Sequence, residues 1–154
     1  MQSWTVWNTS LMWSFALIAL TIAIHLTGIG LIVNVIEKFR SGLLRSQHYL
    51  GSTPTTVAVI VAVALGLAAL HGIECLIWAL AFVRLGALLS PGEAALYSVD
   101  SMTTRGASGL HLEPSWRMMG AVEAGDGMLL FGISTAFLFY VMIRLWKADI
   151  DTRV

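Results

Sequence analysis

Charge is scarce in this 154-residue chain: only 12% of its residues are Asp, Glu, Lys or Arg, whereas 57% are hydrophobic. A soluble domain carries about twice that charged fraction, so the composition argues against a water-soluble enzyme. Nine basic residues balance nine acidic ones without any basic run, which argues against nucleic-acid binding. The single cysteine, Cys75, excludes an intrachain disulfide framework and a zinc knuckle built on paired cysteines. We expect no catalytic residues, no cofactor and no metal site.

What the chain has instead is long apolar segments. A helix that crosses a bilayer needs about 20 apolar residues, and three segments reach that length. They run from Leu11 to Ile36, from Thr55 to Phe82 and from Met128 to Ile143. No basic residue precedes Lys38, so the first segment lacks the basic region of a cleaved signal peptide and is expected to be retained. The sequence predicts an all-α membrane protein with three transmembrane helices in a lipid bilayer.

The distribution of basic residues predicts the topology. The first connection and the C-terminal tail contain most of them, namely Lys38, Arg40, Arg45, Arg144, Lys147 and Arg153. The second connection, residues 85–127, is acidic on balance. The positive-inside rule therefore places the first connection and the C-terminus in the cytoplasm, and the N-terminus outside. We expect a multi-pass protein of the plasma (inner) membrane.

The second connection contains the pattern of a short helix followed by a small, hydroxyl-rich loop. Ser90 is a candidate N-cap, Pro91 suits the first helical turn, and Glu93 complements the helix dipole. A helix from Pro91 to Thr103 would be under about 20 Å long, which is too short to cross a bilayer. The loop after it contains Thr103, Thr104, Arg105, Gly106, Ala107, Ser108 and Gly109. This layout is typical of a re-entrant pore loop, although an amphipathic helix lying on the outer surface is the alternative.

The segment from Ala94 to Phe139 resembles the pore module of the two-transmembrane, potassium-channel-like ion-channel superfamily. A pore-helix pattern, a filter position and an inner-helix pattern occur in the family's order: Ala95-Leu96-Tyr97-Ser98-Val99, Thr103-Thr104, Gly106, Trp116-Arg117, Gly120, Glu123-Ala124, Gly127, Phe131-Gly132 and Ser134-Thr135-Ala136. The chain is most similar to small bacterial members with an additional N-terminal span.

The resemblance implies a division of the chain and an assembly. Residues 1–53 would form an N-terminal transmembrane helix and a basic cytoplasmic loop. Residues 54–154 would form the pore module, with an outer helix, a pore helix, a filter-like loop, an inner helix and a short cytoplasmic tail. One chain supplies one pore loop, so the family's symmetry implies a homotetramer around a path for small ions.

The chain departs from the family at the selectivity filter. Family members carry Thr-Val-Gly-Tyr-Gly, a strand whose backbone carbonyls replace the water around a potassium ion. Aligned on Thr104, this chain has Arg105 at the Val position, Ala107 at the Tyr and Ser108 at the second Gly. Serine loses glycine's easy access to positive φ, which Gly109 would supply only if the strand shifted by one residue. We therefore expect an ion-channel-like protein that is not selective for potassium.

Charged residues near this loop have two interpretations. Asp100 lies one helical turn before the filter position, where pairing with Arg105 would neutralise a charge too costly to bury alone. If Arg105 instead points to the symmetry axis, four guanidinium groups would repel cations and attract anions. We favour the pair. We expect Glu123 to pair with Arg117 or Arg105, and Asp126 to lie at the channel mouth.

Two ionisable residues lie within the second span. His71 and Glu74 are three residues apart, so they share a helix face. Ionisable groups at membrane depth suggest a proton relay or a counter-ion, whereas a hydrogen bond that ties the helix to its neighbours is the structural alternative. His25 in the first span is a further possible partner. Two rival functions therefore stay open: a non-conducting scaffold or assembly protein with the pore fold, and a small membrane enzyme or proton-coupled carrier that uses these three residues.

Overall fold

The computed structural model describes residues 2–45, 53–106 and 109–151. The helices are α1 (Gln2–Arg45), α2 (Thr53–Arg84), the short α3 (Pro91–Met102) and α4 (Arg117–Asp151), with a 3₁₀ turn, Pro114–Trp116, directly before α4. The described residues contain no β-strand, in agreement with the all-α class expected from the sequence.

Three helices are long and apolar enough to cross a membrane: Asn8–Lys38, Pro54–Arg84 and Pro114–Trp146. Large apolar side chains cover their outer surfaces, among them Leu65 of α2 and Phe139 of α4, both more than 60% exposed. Water would disfavour apolar surface of this extent, whereas lipid tails are as apolar as leucine. The three predicted spans are thus confirmed as three helices typical of a multi-pass membrane protein.

The last helix begins earlier than its hydropathy indicates. The sequence predicted a span from Met128, but α4 begins at Arg117. Glu123 and Asp126 interrupt the apolar pattern of this first part, yet both side chains are buried inside the protein. Hydropathy therefore underestimates the length of this helix, because its polar residues at this end face other helices instead of lipid.

The short helix has the ends that its sequence specifies. Ser90 is the N-cap, and its hydroxyl accepts a 3.4 Å hydrogen bond from the amide of Glu93, while Pro91 occupies the first turn. The helix ends at Met102, one residue before the predicted end, and the Thr103 amide donates to the Val99 carbonyl at 3.0 Å.

The described residues divide into two compact units, and each long helix contributes to both. The first unit lies within residues 1–25 and 71–131, and its buried core includes Trp78, Phe82, Met102, Met119 and Leu130. The second lies within residues 26–70 and 132–154, with a core built on Val63, Leu67 and Val141. The candidate site residues that the structure describes all belong to the first unit.

Gly127 allows the backbones of α3 and α4 to come close. A Cβ atom at this position would lie 2.7 Å from Met102 Cα and 2.9 Å from the Met102 carbonyl carbon. Contacts this short with backbone atoms are not relieved by rotating a side chain. The end of α3 therefore needs a residue without a side chain at this point of α4.

We predict that Gly127→Ala lowers the free energy of unfolding by about 1–3 kcal/mol, because one helix must move away from the other. The matched control is Gly125→Ala, where an added Cβ has no atom within 4 Å. Alanine is the better helix former, so the control raises the stability by up to about 1 kcal/mol or leaves it unchanged. Thermal unfolding of the detergent-purified variants, followed by circular dichroism, measures the difference. Equal stabilities of the two variants would contradict the close approach.

Candidate functional site

The C-terminal half of α3 packs beside the middle of two long helices. Ser98 Oγ lies 2.7 Å from the backbone carbonyl oxygen of Cys75 in α2. Cys75 Sγ lies 3.3 Å from Met102 Sδ, and Met102 is the residue that faces Gly127 of α4. At about 1.5 Å of rise per residue, Cys75 lies about 14 Å from the end of α2 and Gly127 about 15 Å from the start of α4. The end of α3 is therefore well inside the length of both helices.

After this point the chain returns to the end of α2 from which it came. The Glu113 amide donates a 3.2 Å hydrogen bond to the carbonyl of Ala87, in the turn that follows α2. The 3₁₀ turn and α4 come directly afterwards. An extended segment advances about 3.3 Å per residue, so residues 103–113 are long enough for the return. Residues 85–113 thus begin and end at the same end of α2.

The loop that makes this return contains backbone in the left-handed region. Thr104 has a φ of 57°, and Gly106 and Gly109 each have a φ of 83°. Positive φ is costly for a threonine and free for a glycine, so the loop is held in this shape by its surroundings. Thr103 is anchored to α3, because its hydroxyl donates to the Val99 carbonyl at 2.7 Å. Two further loop residues lie outside the described part of the chain, namely Ala107 and Ser108.

A pocket of about 390 Å³ lies beside this loop. Its walls come from α3, the loop and α4, and consist of Met102, Thr103, Thr104, Met128 and Phe131. Both threonines are exposed, so they present hydroxyl groups next to otherwise apolar walls. Hydroxyl and carbonyl oxygens are suitable ligands for small hard cations.

Arg105 forms the pair with Asp100 that the sequence favoured. Arg105 Nη1 lies 2.8 Å from Asp100 Oδ1, and the Asp100 side chain is buried while that of Arg105 is 66% exposed. The amides of Arg105 and Gly106 also donate to the Asp100 carbonyl, at 2.9 and 3.3 Å. The guanidinium group is therefore drawn back to the end of α3, and its charge is compensated there.

Glu123 has a different partner from the one expected. Its Oε1 accepts a short hydrogen bond from the Ser98 hydroxyl of α3, and among the described side chains it forms no ion pair with Arg117 or Arg105. The side chain is completely buried. Tyr97, beside Ser98, is half-buried, and this burial raises the pKa of its phenol. Glu123 thus joins α4 to α3 and makes no ion pair at the surface.

Asp126 also lies away from the position expected at a channel mouth. Asp126 Oδ2 accepts hydrogen bonds from Thr21 Oγ1 of α1 at 2.7 Å and from Trp78 Nε1 of α2 at 3.0 Å. Only 2% of its surface is exposed. One carboxylate oxygen therefore joins three helices of the first unit.

A further buried carboxylate, Glu74, lies one helical turn from Trp78 in α2. Glu74 Oε1 lies 2.7 Å from Nδ1 of His25, and Glu74 Oε2 lies 3.1 Å from Nδ1 of His71. His71 and Glu74 thus share a face as their spacing predicted, and α1 supplies the third member. His25 and Glu74 are completely buried, and Phe131 stacks on the ring of His71 with centroids 4.0 Å apart. One carboxylate is held between two imidazole rings.

The sequence of α1 contains a further signal, in the spacing of its polar residues. Four of its polar residues recur at helical spacing and are buried: Ser10, Ser14, Thr21 and His25. Residues spaced by three, four or seven positions lie on one side of a helix. This polar stripe indicates that one face of the first span packs against protein, and it would have linked His25 and Thr21 to the carboxylates of other helices.

Comparison with protein-family models, with curated proteins and with solved structures gave no match to this chain. The arguments on function therefore rest on the geometry of the site and on the sequence pattern.

We predict that Asp126→Ala lowers the free energy of unfolding by about 1–3 kcal/mol, because the buried indole N–H of Trp78 loses its acceptor. Asp126→Asn is the matched control, since an amide oxygen can accept the same two hydrogen bonds; its cost should stay below about 1 kcal/mol. Thermal unfolding in detergent measures both variants. If the two variants were equally destabilised, Asp126 would contribute its negative charge and not its acceptor atom.

Proposed function

We propose that this chain is a pore-loop, ion-channel-like membrane protein. Residues 91–109 form a re-entrant pore helix and filter-like loop, and four copies surround a path for small monovalent cations. The loop lacks the potassium-filter sequence, so the path does not discriminate potassium from sodium. The N-terminus lies outside and the C-terminus in the cytoplasm of the plasma membrane, as the distribution of basic residues indicates.

The observation that carries this proposal is the course of residues 85–113. They leave the end of α2, reach the level of Cys75 and Gly127, and return to Ala87. If α2 and α4 cross a bilayer, a segment with this course enters the bilayer and leaves it on the same side. Irregular backbone is tolerated at membrane depth only where it is buried in protein or lines a water-filled cavity.

A single copy of the chain leaves the loop uncovered. Thr103, Thr104 and Gly106 are exposed, and so are the neighbouring apolar residues Val99 and Met128. Neighbouring copies would cover the apolar surface, while water and ions would solvate the threonines. Symmetric closure of such an assembly encloses a central path, and the resemblance to potassium-channel-like pore modules supports four copies.

The position of Arg105 favours conduction of cations over conduction of anions. Its charge is compensated by Asp100 at 2.8 Å, so the loop does not present an unpaired ring of guanidinium groups. The loss of Tyr and of one Gly from the filter sequence removes the rigid carbonyl strand on which potassium selectivity depends.

The rival enzyme or carrier has one observation in its favour, because His25, His71 and Glu74 do come together. Their burial opposes it. Two of the three side chains have no exposed surface, so a molecular substrate has no direct access to them. A chain that keeps the pore fold without conducting is the other rival, and the flux experiment distinguishes it.

We predict that purified protein in liposomes carries potassium and sodium down their gradients at similar rates and excludes chloride. Arg105→Gln should lower the cation flux several-fold, because it removes the ion pair that holds the loop to the end of α3. The double variant Asp100→Asn/Arg105→Gln should recover part of the flux, since the charge that Arg105 compensates is then removed as well. The matched control is Arg84→Gln, at the exposed end of α2, which should conduct like the wild type.

The subunit number of the same preparations is measured by native mass spectrometry. A chloride flux that disappears in Arg105→Gln would place the guanidinium groups on the axis and overturn cation conduction. A folded tetramer that passes none of the three ions would favour the non-conducting scaffold. A monomeric wild type would contradict the assembly around a shared path.

A further inference from the structure

We propose that His25, His71 and Glu74 form a binding site for one divalent transition-metal ion of the zinc class, buried between α1 and α2. The site is separate from the filter-like loop and does not depend on ion conduction. It gives a role to the two buried histidines and the buried glutamate, which the pore proposal does not use.

The first argument is the convergence of the donor atoms. One potential ligand atom from each of the three side chains lies within 4.8 Å of the others. The two imidazole nitrogens nearest Glu74 are 2.7 and 3.1 Å from its carboxylate oxygens. Donors that hold zinc at about 2.0–2.1 Å in a tetrahedron are about 3.3 Å apart, so small rotations of these side chains would accommodate the ion.

The second argument is the chemistry of the donor set. Two imidazoles and one carboxylate are a ligand set found in zinc sites with three protein ligands, and the fourth position is then left to water. Calcium and magnesium prefer sites built from oxygen atoms alone, so they fit this set poorly. Without an ion, imidazole protons must occupy the space between the nitrogens and the carboxylate. A metal ion replaces those protons as the bridge.

The third argument is charge compensation. A divalent ion buried in an apolar helix bundle needs two negative charges close by. Glu74 provides one. Asp126 provides the other, because its partners Thr21 and Trp78 lie one helical turn from His25 and Glu74 on the same helices. The two buried carboxylates, one from α2 and one from α4, thus match the charge of one divalent ion.

The fourth argument is access for a small ion. His71 is the one ligand with some exposure, 8% of its surface. Phe131 stacks on its ring and also lines the 390 Å³ pocket beside the filter-like loop. Movement of this single aromatic ring would connect the pocket with the cluster.

The experiment measures zinc binding by the purified full-length chain after treatment with a chelator. Equilibrium dialysis against Zn²⁺, with the metal counted by mass spectrometry, should give one zinc ion per wild-type chain. His25→Gln, His71→Gln and Glu74→Gln should each bind zinc more than about tenfold more weakly. His111→Gln is the matched control, because His111 is exposed and lies outside the cluster; it should bind like the wild type.

A second measurement needs only the wild type, so it holds even where a variant fails to fold. X-ray absorption of the zinc-loaded protein should show nitrogen and oxygen ligands at about 2.0–2.2 Å and no sulfur. A sulfur ligand at about 2.3 Å would assign the zinc to Cys75 and overturn the proposal. Absence of stoichiometric zinc in folded protein, or unchanged binding in the three cluster variants, would also overturn it. None of these measurements uses ion flux, so the metal site and the pore proposal fail independently.

Discussion

Three buried carboxylates, Glu74, Glu123 and Asp126, govern how the first unit of this protein is assembled. A carboxylate taken out of water costs several kcal/mol unless hydrogen-bond donors surround it. In apolar helices the helix backbone has no free donors to offer, so the donors must be side chains of other helices. Each carboxylate here has one oxygen that meets an imidazole, hydroxyl or indole group. The need to satisfy them selects one arrangement of α1, α2, α3 and α4 in this unit from the many that apolar packing alone would permit.

The position of the short helix follows from the same constraint. Ser98 touches both long neighbours of α3, since its hydroxyl contacts the Cys75 carbonyl and the Glu123 carboxylate. Met102 then fits against Gly127, where no side chain intervenes. With α3 fixed at these points, the loop that follows must begin deep alongside α2 and α4. The depth of the filter-like loop is thus set by contacts of the helix before it.

Local spacing in the sequence predicted the features that depend on neighbouring residues. These features each involve residues that are close in sequence: the Ser90 cap, the limits of α3, the shared face of His71 and Glu74, and the Asp100–Arg105 pair. Contacts across long separations were not predictable in this way. His25 and Glu74 are 49 residues apart, and Thr21 and Asp126 are 105 residues apart. Periodicity shows which face of a helix is polar, but it does not show which helix that face meets.

The hydropathy pattern failed for a related physical reason at the start of α4. Mean hydropathy treats every polar residue as facing water or lipid, whereas Glu123 and Asp126 face Ser98, Thr21 and Trp78. Their partners make the helix compatible with the interior, and only the three-dimensional arrangement reveals the partners. The same error led the sequence interpretation to place Asp126 at a channel mouth and to pair Glu123 with an arginine.

The contacts that hold α3 in place are separate from the loop of residues 103–109. The contacts that hold α3 involve Ser98, Cys75, Met102 and Gly127, none of which belongs to the filter-like loop. The position of α3 therefore depends on residues outside the loop 103–109. Arg105 is the exception, and its own partner Asp100 lies at the end of α3, where the pair closes the helix. The arrangement allows the chemistry of the loop to vary while the scaffold that carries it stays the same.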